Sequence, residues 1–292
     1  MTIQIEGEVP MAAAKTSFDP TLKSADSRYT DANGVRTHYV QAGNGKPVIL
    51  IHGGGPGADG WGNWFSCLPL FAENFHAIAV DMLGFGRTDK PDPATFVYSQ
   101  EARTSHMIAF VEALGLGPVT LIGNSMGGLT SLGVAAQRPE LVHRLILMGP
   151  AAIKFEMPPA LVPLMNYDGT AEGMTKVIRA LTYDGYVMDD ALLQYRVQLA
   201  NDPDAKRAHG ASMQWIRQQH GLYAPEEQVR SVRVPTLVVS GKADPIVTPS
   251  QVFRILELID NSRGYLIPHC GHWVMMERPQ EFAAVCTRFI LQ

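Results

Sequence analysis

Val119-Thr-Leu-Ile-Gly-Asn-Ser-Met-Gly-Gly128 carries an unbroken apolar run into a Gly-x-Ser-x-Gly turn and then into small residues. The apolar run reads as a strand buried on both faces, the turn as a sharp reversal, and the small residues as the start of a helix packed close to that strand. This is the nucleophile-elbow pattern, in which a strained turn lifts a serine hydroxyl above the sheet at a helix N-terminus, where developing negative charge is favoured. The five-residue motif alone is weak; the strand before it and the helix after it give it meaning. Outward from the elbow, further short apolar runs occur at Val48–Ile51, Ala77–Val80, Leu145–Met148, Thr236–Val239 and Tyr265–Ile267. They lack polar alternation, as strands covered on both faces do. Helical patterns at Gln100–Leu114 and Gly127–Gln137 lie between them. Alternation of this kind predicts an α/β fold with a mostly parallel, doubly wound sheet. Ahead of it, Asn33–Gly34 between Tyr29–Thr30 and Thr37–Val40 predicts a hairpin.

One interval breaks the rhythm. From Ala151 to Arg230 no strand run appears, Pro158, Pro159 and Pro163 open the stretch, and helical patterns occupy Met174–Leu181 and Ala191–Leu199. Length alone, 292 residues at about 150 per domain, suggests two domains. The pattern predicts instead an N-terminal arm over 1–28, a sheet domain over 29–150 and 231–292, and a helical lid inserted over 151–230. Composition excludes several classes. With 46% hydrophobic and 18% charged residues, a formal net charge of −4 and no basic run, the chain is neither disordered nor suited to nucleic acid. No apolar stretch is long enough to span a membrane, and no signal-peptide pattern opens the sequence. Cys67, Cys270 and Cys286 form no metal-like pair and read as reduced thiols. A cytoplasmic, globular enzyme is expected, with no metal and no cofactor.

A serine nucleophile needs a base and an acid. Nine histidines compete. His272, in Pro268-His-Cys-Gly-His-Trp273, follows the strand run at Tyr265–Ile267 and sits beyond Gly271, which leaves its loop free to turn; His269, the rival, lies nearer the strand. Asp244, in Gly241-Lys-Ala-Asp-Pro245, follows another strand run and gives the order Ser, Asp, His that suits the elbow fold. Asp81 also ends a strand run but precedes Ser125, so it reads as a brace for its own loop. Met126 would donate one oxyanion N–H as the residue after the nucleophile, and His52-Gly-Gly-Gly-Pro-Gly57 would supply the other. A phosphate cradle is the competing reading of that glycine loop, but no Gly-Lys-Ser/Thr follows it. His52 reads as a prop for the loop.

With these motifs in place, residues 29–290 resemble the α/β-hydrolase fold, and in detail its meta-cleavage-product hydrolases, which cleave a carbon–carbon bond in 2-hydroxy-6-oxohexa-2,4-dienoates. The resemblance rests on His52-Gly-Gly-Gly-Pro-Gly-Ala58 with Trp61 and Asn63, Asp81-Met-Leu-Gly-Phe-Gly-Arg-Thr88, Gly123-Asn-Ser-Met-Gly-Gly128 and Gly271-His-Trp273. It implies Ser125, Asp244 and His272 as the triad, with the Gly54 and Met126 amides as the oxyanion hole. It further implies that Arg196, in Leu192-Leu-Gln-Tyr-Arg196, holds the dienoate carboxylate, helped by Gly53, Asn63, Asn124 and Trp273; the planar guanidinium suits that task. Ile153, Leu181 and Val247 are the apolar candidates for contact with the rest of the substrate, in a region that also holds Phe155, Met157, Met188, Trp215 and Ile246. The reaction implied is ketonisation, attack of Ser125 at C6, C5–C6 cleavage and hydrolysis of an acyl-enzyme. The partner implied is a small-molecule dienoate, and a homodimer or higher homo-oligomer is implied by the family alone. Two other readings use the same fold: a carboxylesterase or lactonase, and a non-catalytic small-molecule receptor.

Overall fold

A computed structural model describes residues 17–21 and 25–292. Most of the arm expected over 1–28 lies outside the described residues. Its described part is ordered against the body of the protein, with Phe18 buried. Strand β1 (Asp26–Ala32) pairs antiparallel with β2 (Val35–Ala42) around Asn33 and Gly34, whose φ angles of 57° and 83° are those of a tight hairpin turn. The sheet therefore begins three residues before the expected boundary at 29. Asp26, Ser27 and Arg28 are exposed on an edge strand, so they carry no apolar signal to announce it.

The chain continues through β3 (Pro47–Ile51), α1 (Gly60–Trp64), α2 (Leu68–Ala72), β4 (His76–Val80), α3 (Gln100–Leu114), β5 (Val119–Asn124), α4 (Met126–Gln137) and β6 (Val142–Met148). After an insertion come β7 (Thr236–Gly241), α10 (Pro249–Leu258), β8 (Ser262–Ile267), α11 (Val274–Glu277) and α12 (Pro279–Ile290). The eight strands order as β1-β2-β4-β3-β5-β6-β7-β8, antiparallel through β4 and parallel from there on. Every residue of β5 and β7 is buried, as the absence of alternation in those runs requires. Helix α3 shows how the covering layer forms. Ser99 caps it by accepting from Ala102 N, Gly115 ends it in the left-handed region, and it buries Met107, Phe110 and Val111, each worth about 2 kcal/mol. Because β3, β5, β7 and β8 run the same way, the loops carrying His52–Gly57, Ser125, Asp244 and His272 leave one edge of the sheet together.

The insertion holds α5 (Val162–Met165), α6 (Ala171–Leu181), α7 (Asp190–Asn201), α8 (Pro203–Gln218) and α9 (Glu226–Ser231), and no strand. Its last helix differs from the expected division at 230: α9 packs against α4 and α10 of the sheet layer, with Val229 fully buried there. Four helices, α5 to α8, remain over the loop edge. Among the described residues no helix is long and apolar enough to cross a membrane, and no group of three or more His, Cys, Asp or Glu side chains could hold a metal ion. The three cysteines are buried and unpaired.

Candidate active site

Ser125 sits between β5 and α4 at φ 52° and ψ −113°, a conformation that a side-chain-bearing residue rarely adopts. Neighbouring backbone holds it there: Ser125 N donates to Met148 O (3.0 Å), while its carbonyl accepts from Leu129 N and Ala151 N. A Cβ at Gly127 would lie 2.4 Å from the carbonyl oxygens of Ile51 and His52, so the helix can pass over the end of β3 only with glycine at that position. The elbow's small residues are thus demanded by a helix–strand distance.

His272 Nδ1 donates to Asp244 Oδ2 at 2.8 Å, and both side chains are buried. Asp244 is itself fixed, its Oδ1 accepting from Ile246 N (2.8 Å) and Val247 N (2.9 Å) and its Oδ2 from Ser240 Oγ (3.3 Å). His272 and Ser125 face one cavity. The two rivals are elsewhere. His269 is exposed and pairs with the Tyr183 hydroxyl, and Asp81 accepts from Gly60 N, Arg87 N and His38 Nδ1, which binds its carboxylate into its own loop.

The glycine loop lies flush against the elbow. A Cβ at Gly54 would meet Met126 Cε at 2.3 Å, and one at Gly53 would meet Asn124 Oδ1 at 2.8 Å. His52 governs how this loop presents its amides. Its Nε2 accepts from Met82 N (3.0 Å), which leaves Nδ1 protonated to donate to Gly53 O (2.7 Å). That carbonyl and the Gly54 N–H belong to one planar peptide, so fixing the first aims the second. Burial pushes the His52 pKa down to about 4, which keeps the ring neutral and the tautomer constant across ordinary working pH. His52→Ala is expected to slow p-nitrophenyl acetate hydrolysis about 10- to 100-fold with little change in KM, short of the loss for a deleted oxyanion donor. Steady-state rates of both proteins on that ester check it.

The cavity lining combines polar and apolar groups. Arg196 on α7 is buried, its Nη1 donating to Asn63 Oδ1 (2.9 Å) and its Nη2 to Pro56 O (3.4 Å), with the guanidinium carbon 4.8 Å from the Trp273 ring centroid. No carboxylate forms an ion pair with it among the described residues, its Nε has no partner, and burial pushes its pKa down to about 10. Nearby, Asn124 donates to Met148 O while its buried Oδ1 has no partner. The rest of the lining is largely apolar and includes Phe155, Met157, Leu161, Leu181, Ile216 and Ile246, with His220 and Tyr223 among them. Gly53, Gly54, Asn63, Asn124, Met126, Leu181, Arg196 and Trp273 all border the cavity. Ile153 and Val247 do not. The chain bends at Ile153 and packs its side chain into the core, and Val247 is committed to the Asp244 loop, leaving Ile246 on the cavity side.

Residues 46–279 match the family of the alpha/beta hydrolase fold. The chain is 48% identical over 264 residues to the 2-hydroxy-6-oxo-6-(2'-aminophenyl)hexa-2,4-dienoic acid hydrolase of Metapseudomonas resinovorans, covering 90% of each protein. It is 30% identical to a solved meta-cleavage product hydrolase from Pseudomonas fluorescens, with a TM-score of 0.84 over 90% of this chain and 97% of that one. The chain belongs to the meta-cleavage-product hydrolases. A further relative, the 2-hydroxy-6-oxo-2,4-heptadienoate hydrolase of Pseudomonas putida, is 32% identical over 89% of this chain and 94% of its own length.

Sequence reasoning misses two groups in this meta-cleavage-product hydrolase. Glu277 accepts from the backbone N–H groups of Gly271, Trp273 and Tyr183, so one carboxylate ties the His272 loop to the end of α6. Burial raises its pKa against those bonds. Its place just after Gly271-His-Trp273 was the only available signal. Asp59 and Tyr195, bonded to each other, carry no signal at all, since 136 residues separate them.

Proposed function

We propose that this chain hydrolyses the C5–C6 bond of a 2-hydroxy-6-oxohexa-2,4-dienoate, giving 2-hydroxypenta-2,4-dienoate and a carboxylic acid. One observation carries the reading: a buried guanidinium without a carboxylate partner lines the same cavity as Ser125 and His272. A buried cation is costly unless paired, and an incoming carboxylate would pair it. A neutral ester offers it nothing. The two relatives named above for their substrates both act on 2-hydroxy-6-oxodienoates, which supports the same choice.

In this reading Arg196 takes the substrate carboxylate, and Asn63 and Trp273 hold the guanidinium in place. The orphaned Asn124 Oδ1 stands ready to accept from the 2-hydroxyl. Ketonisation moves a proton from the 2-hydroxyl to C5 and leaves a 2,6-dioxo acid. Ser125 Oγ then adds to C6 as His272 takes its proton, and the Gly54 and Met126 amides meet the oxyanion. Collapse breaks C5–C6; the electron pair passes into the unsaturated 2-keto acid, which regains a proton as the 2-hydroxydienoate. Water, deprotonated by His272, then releases the acyl group from Ser125. Asp244 keeps the imidazole in the productive tautomer and stabilises the imidazolium.

The apolar part of the lining takes the C6 substituent, and the 48% identical relative, named for a 6-(2'-aminophenyl) substrate, favours an aryl group over methyl. Loss of the dienolate absorbance measures turnover directly. A 6-phenyl dienoate is expected to exceed the 6-methyl compound about tenfold or more in kcat/KM, from the additional apolar area buried. Faster turnover of p-nitrophenyl acetate than of either dienoate would favour the carboxylesterase reading instead.

A further inference from the structure

The guanidinium that this reading assigns to the substrate carboxylate stands on an inserted helix, α7, whose position must be fixed relative to the sheet. What fixes it lies behind the helix, away from the cavity. Tyr195, next to Arg196 in sequence, is buried, and its hydroxyl donates to Asp59 Oδ2. Asp59 Oδ1 in turn accepts from Gly62 N at 2.7 Å and so caps α1. Helix α1 carries Asn63, whose Oδ1 accepts from Arg196 Nη1. The Tyr195–Asp59 bond and the Arg196–Asn63 bond thus tie two consecutive residues of α7 to one short helix of the sheet domain.

The outer side of this junction is closed by the N-terminal segment. The Phe18 ring lies 5.0 Å from the Tyr195 ring, 5.1 Å from Phe65 in an edge-on arrangement and 6.2 Å from Trp61. The next residue is held too, because Trp61 Nε1 donates to Asp19 O at 2.8 Å. Phe18 is 5% exposed, so it fills an aromatic pocket formed jointly by α1, the residue after it, and α7. Aromatic contacts of this geometry stabilise beyond the area they bury.

We propose that Phe18, Tyr195 and Asp59 are positioning residues for the carboxylate site, and that the N-terminal segment clamps α7 so that Arg196 is set before the ligand arrives. None of the bonds and ring contacts of Phe18, Tyr195 and Asp59 described above reaches Ser125 or His272, so the clamp acts on the grip for the carboxylate more than on acyl transfer. Small displacements of a binding group lose much of its benefit, and a clamp that stops them has a measurable effect on affinity.

Sorbate (hexa-2,4-dienoate) tests this with p-nitrophenyl acetate as the reporter. It carries the carboxylate and the diene but lacks the scissile carbonyl, so it inhibits without turning over. Whether the dienoate reading itself holds is scored separately by turnover of the 6-phenyl substrate. Phe18→Ala and Tyr195→Phe are each expected to raise the sorbate inhibition constant about tenfold while ester kcat and KM stay within twofold, and Phe18→Leu is expected to restore most of the affinity. Tyr195→Phe keeps the ring and its packing, so it isolates the hydroxyl even if Phe18→Ala folds poorly. The neutral sorbamide is expected to respond to none of these changes. An unchanged sorbate constant in Tyr195→Phe, ester hydrolysis falling in parallel, or no inhibition of the unmodified enzyme by sorbate overturns the proposal.

Discussion

Ser125→Ala is expected to lower dienoate hydrolysis by about four to six orders of magnitude while the dienoate still binds. The residues of a nucleophile–base–acid unit act together, so removing the hydroxyl costs nearly as much as removing the whole unit. What remains is the oxyanion hole and the carboxylate grip, which speed attack by water only modestly. Binding should survive because Arg196, Asn63 and Trp273 are untouched and the cavity gains space. Folding should survive as well. Alanine at φ 52° carries the same strain as serine, and the Ser125 bonds that hold the elbow, to Met148, Leu129 and Ala151, are backbone bonds. Absorbance decay of the dienolate measures the rate, and equilibrium dialysis with the same compound measures binding. If Ser125→Ala retains turnover within tenfold of the unmodified enzyme, water activated by His272 attacks C6 directly and there is no acyl-enzyme.

The features legible in the sequence are those that backbone physics imposes locally. Strands covered on both faces must be apolar throughout, and the six runs read that way all lie within strands, although β8 is an edge strand in which Tyr265 is exposed. The elbow is legible because a Cβ at position 127 would lie 2.4 Å from two carbonyl oxygens, which leaves no alternative to Gly127. His272 and Asp244 could be ranked above their rivals from strand ends and chain order, since parallel strands bring their loops to one edge. What stayed hidden depends on residues far apart in the chain. Nothing local distinguishes Ile246, which borders the cavity, from Val247, whose amide serves Asp244; both are apolar and adjacent. Helix α9 reads as part of the insertion because it lacks a strand pattern, yet the burial of Val229 against α4 and α10 places it with the sheet. Phe18 reads as one apolar residue in an unpatterned arm, and only the surrounding rings of Trp61, Phe65 and Tyr195 give it a partner.

Arg196→Gln should separate the two activities that Ser125→Ala abolishes together. A bidentate, charge-assisted bond to a carboxylate in a buried site contributes roughly 3–4 kcal/mol, so kcat/KM for the 6-phenyl dienoate is expected to fall about 100- to 1,000-fold. Hydrolysis of p-nitrophenyl acetate, which has no carboxylate, should stay within about tenfold, since Arg196 bonds neither Ser125 nor the His272–Asp244 pair and touches the glycine loop through Pro56 O alone among its side-chain bonds. Arg196→Lys should recover only part of the loss, because an ammonium is a point charge and cannot present a planar fork. Stability should move the other way. The unmodified protein buries a guanidinium with an unpartnered Nε and no ion pair, and glutamine removes that uncompensated charge. The melting temperature of Arg196→Gln should therefore equal or exceed that of the parent, as expected where a strained or unpaired group is kept for function at some cost in stability. Parallel assays on the two substrates, with a thermal melt of each variant, decide the matter. Equal losses on dienoate and ester would remove Arg196 from the carboxylate site, and a large drop in melting temperature would mean that the guanidinium holds the insertion in place.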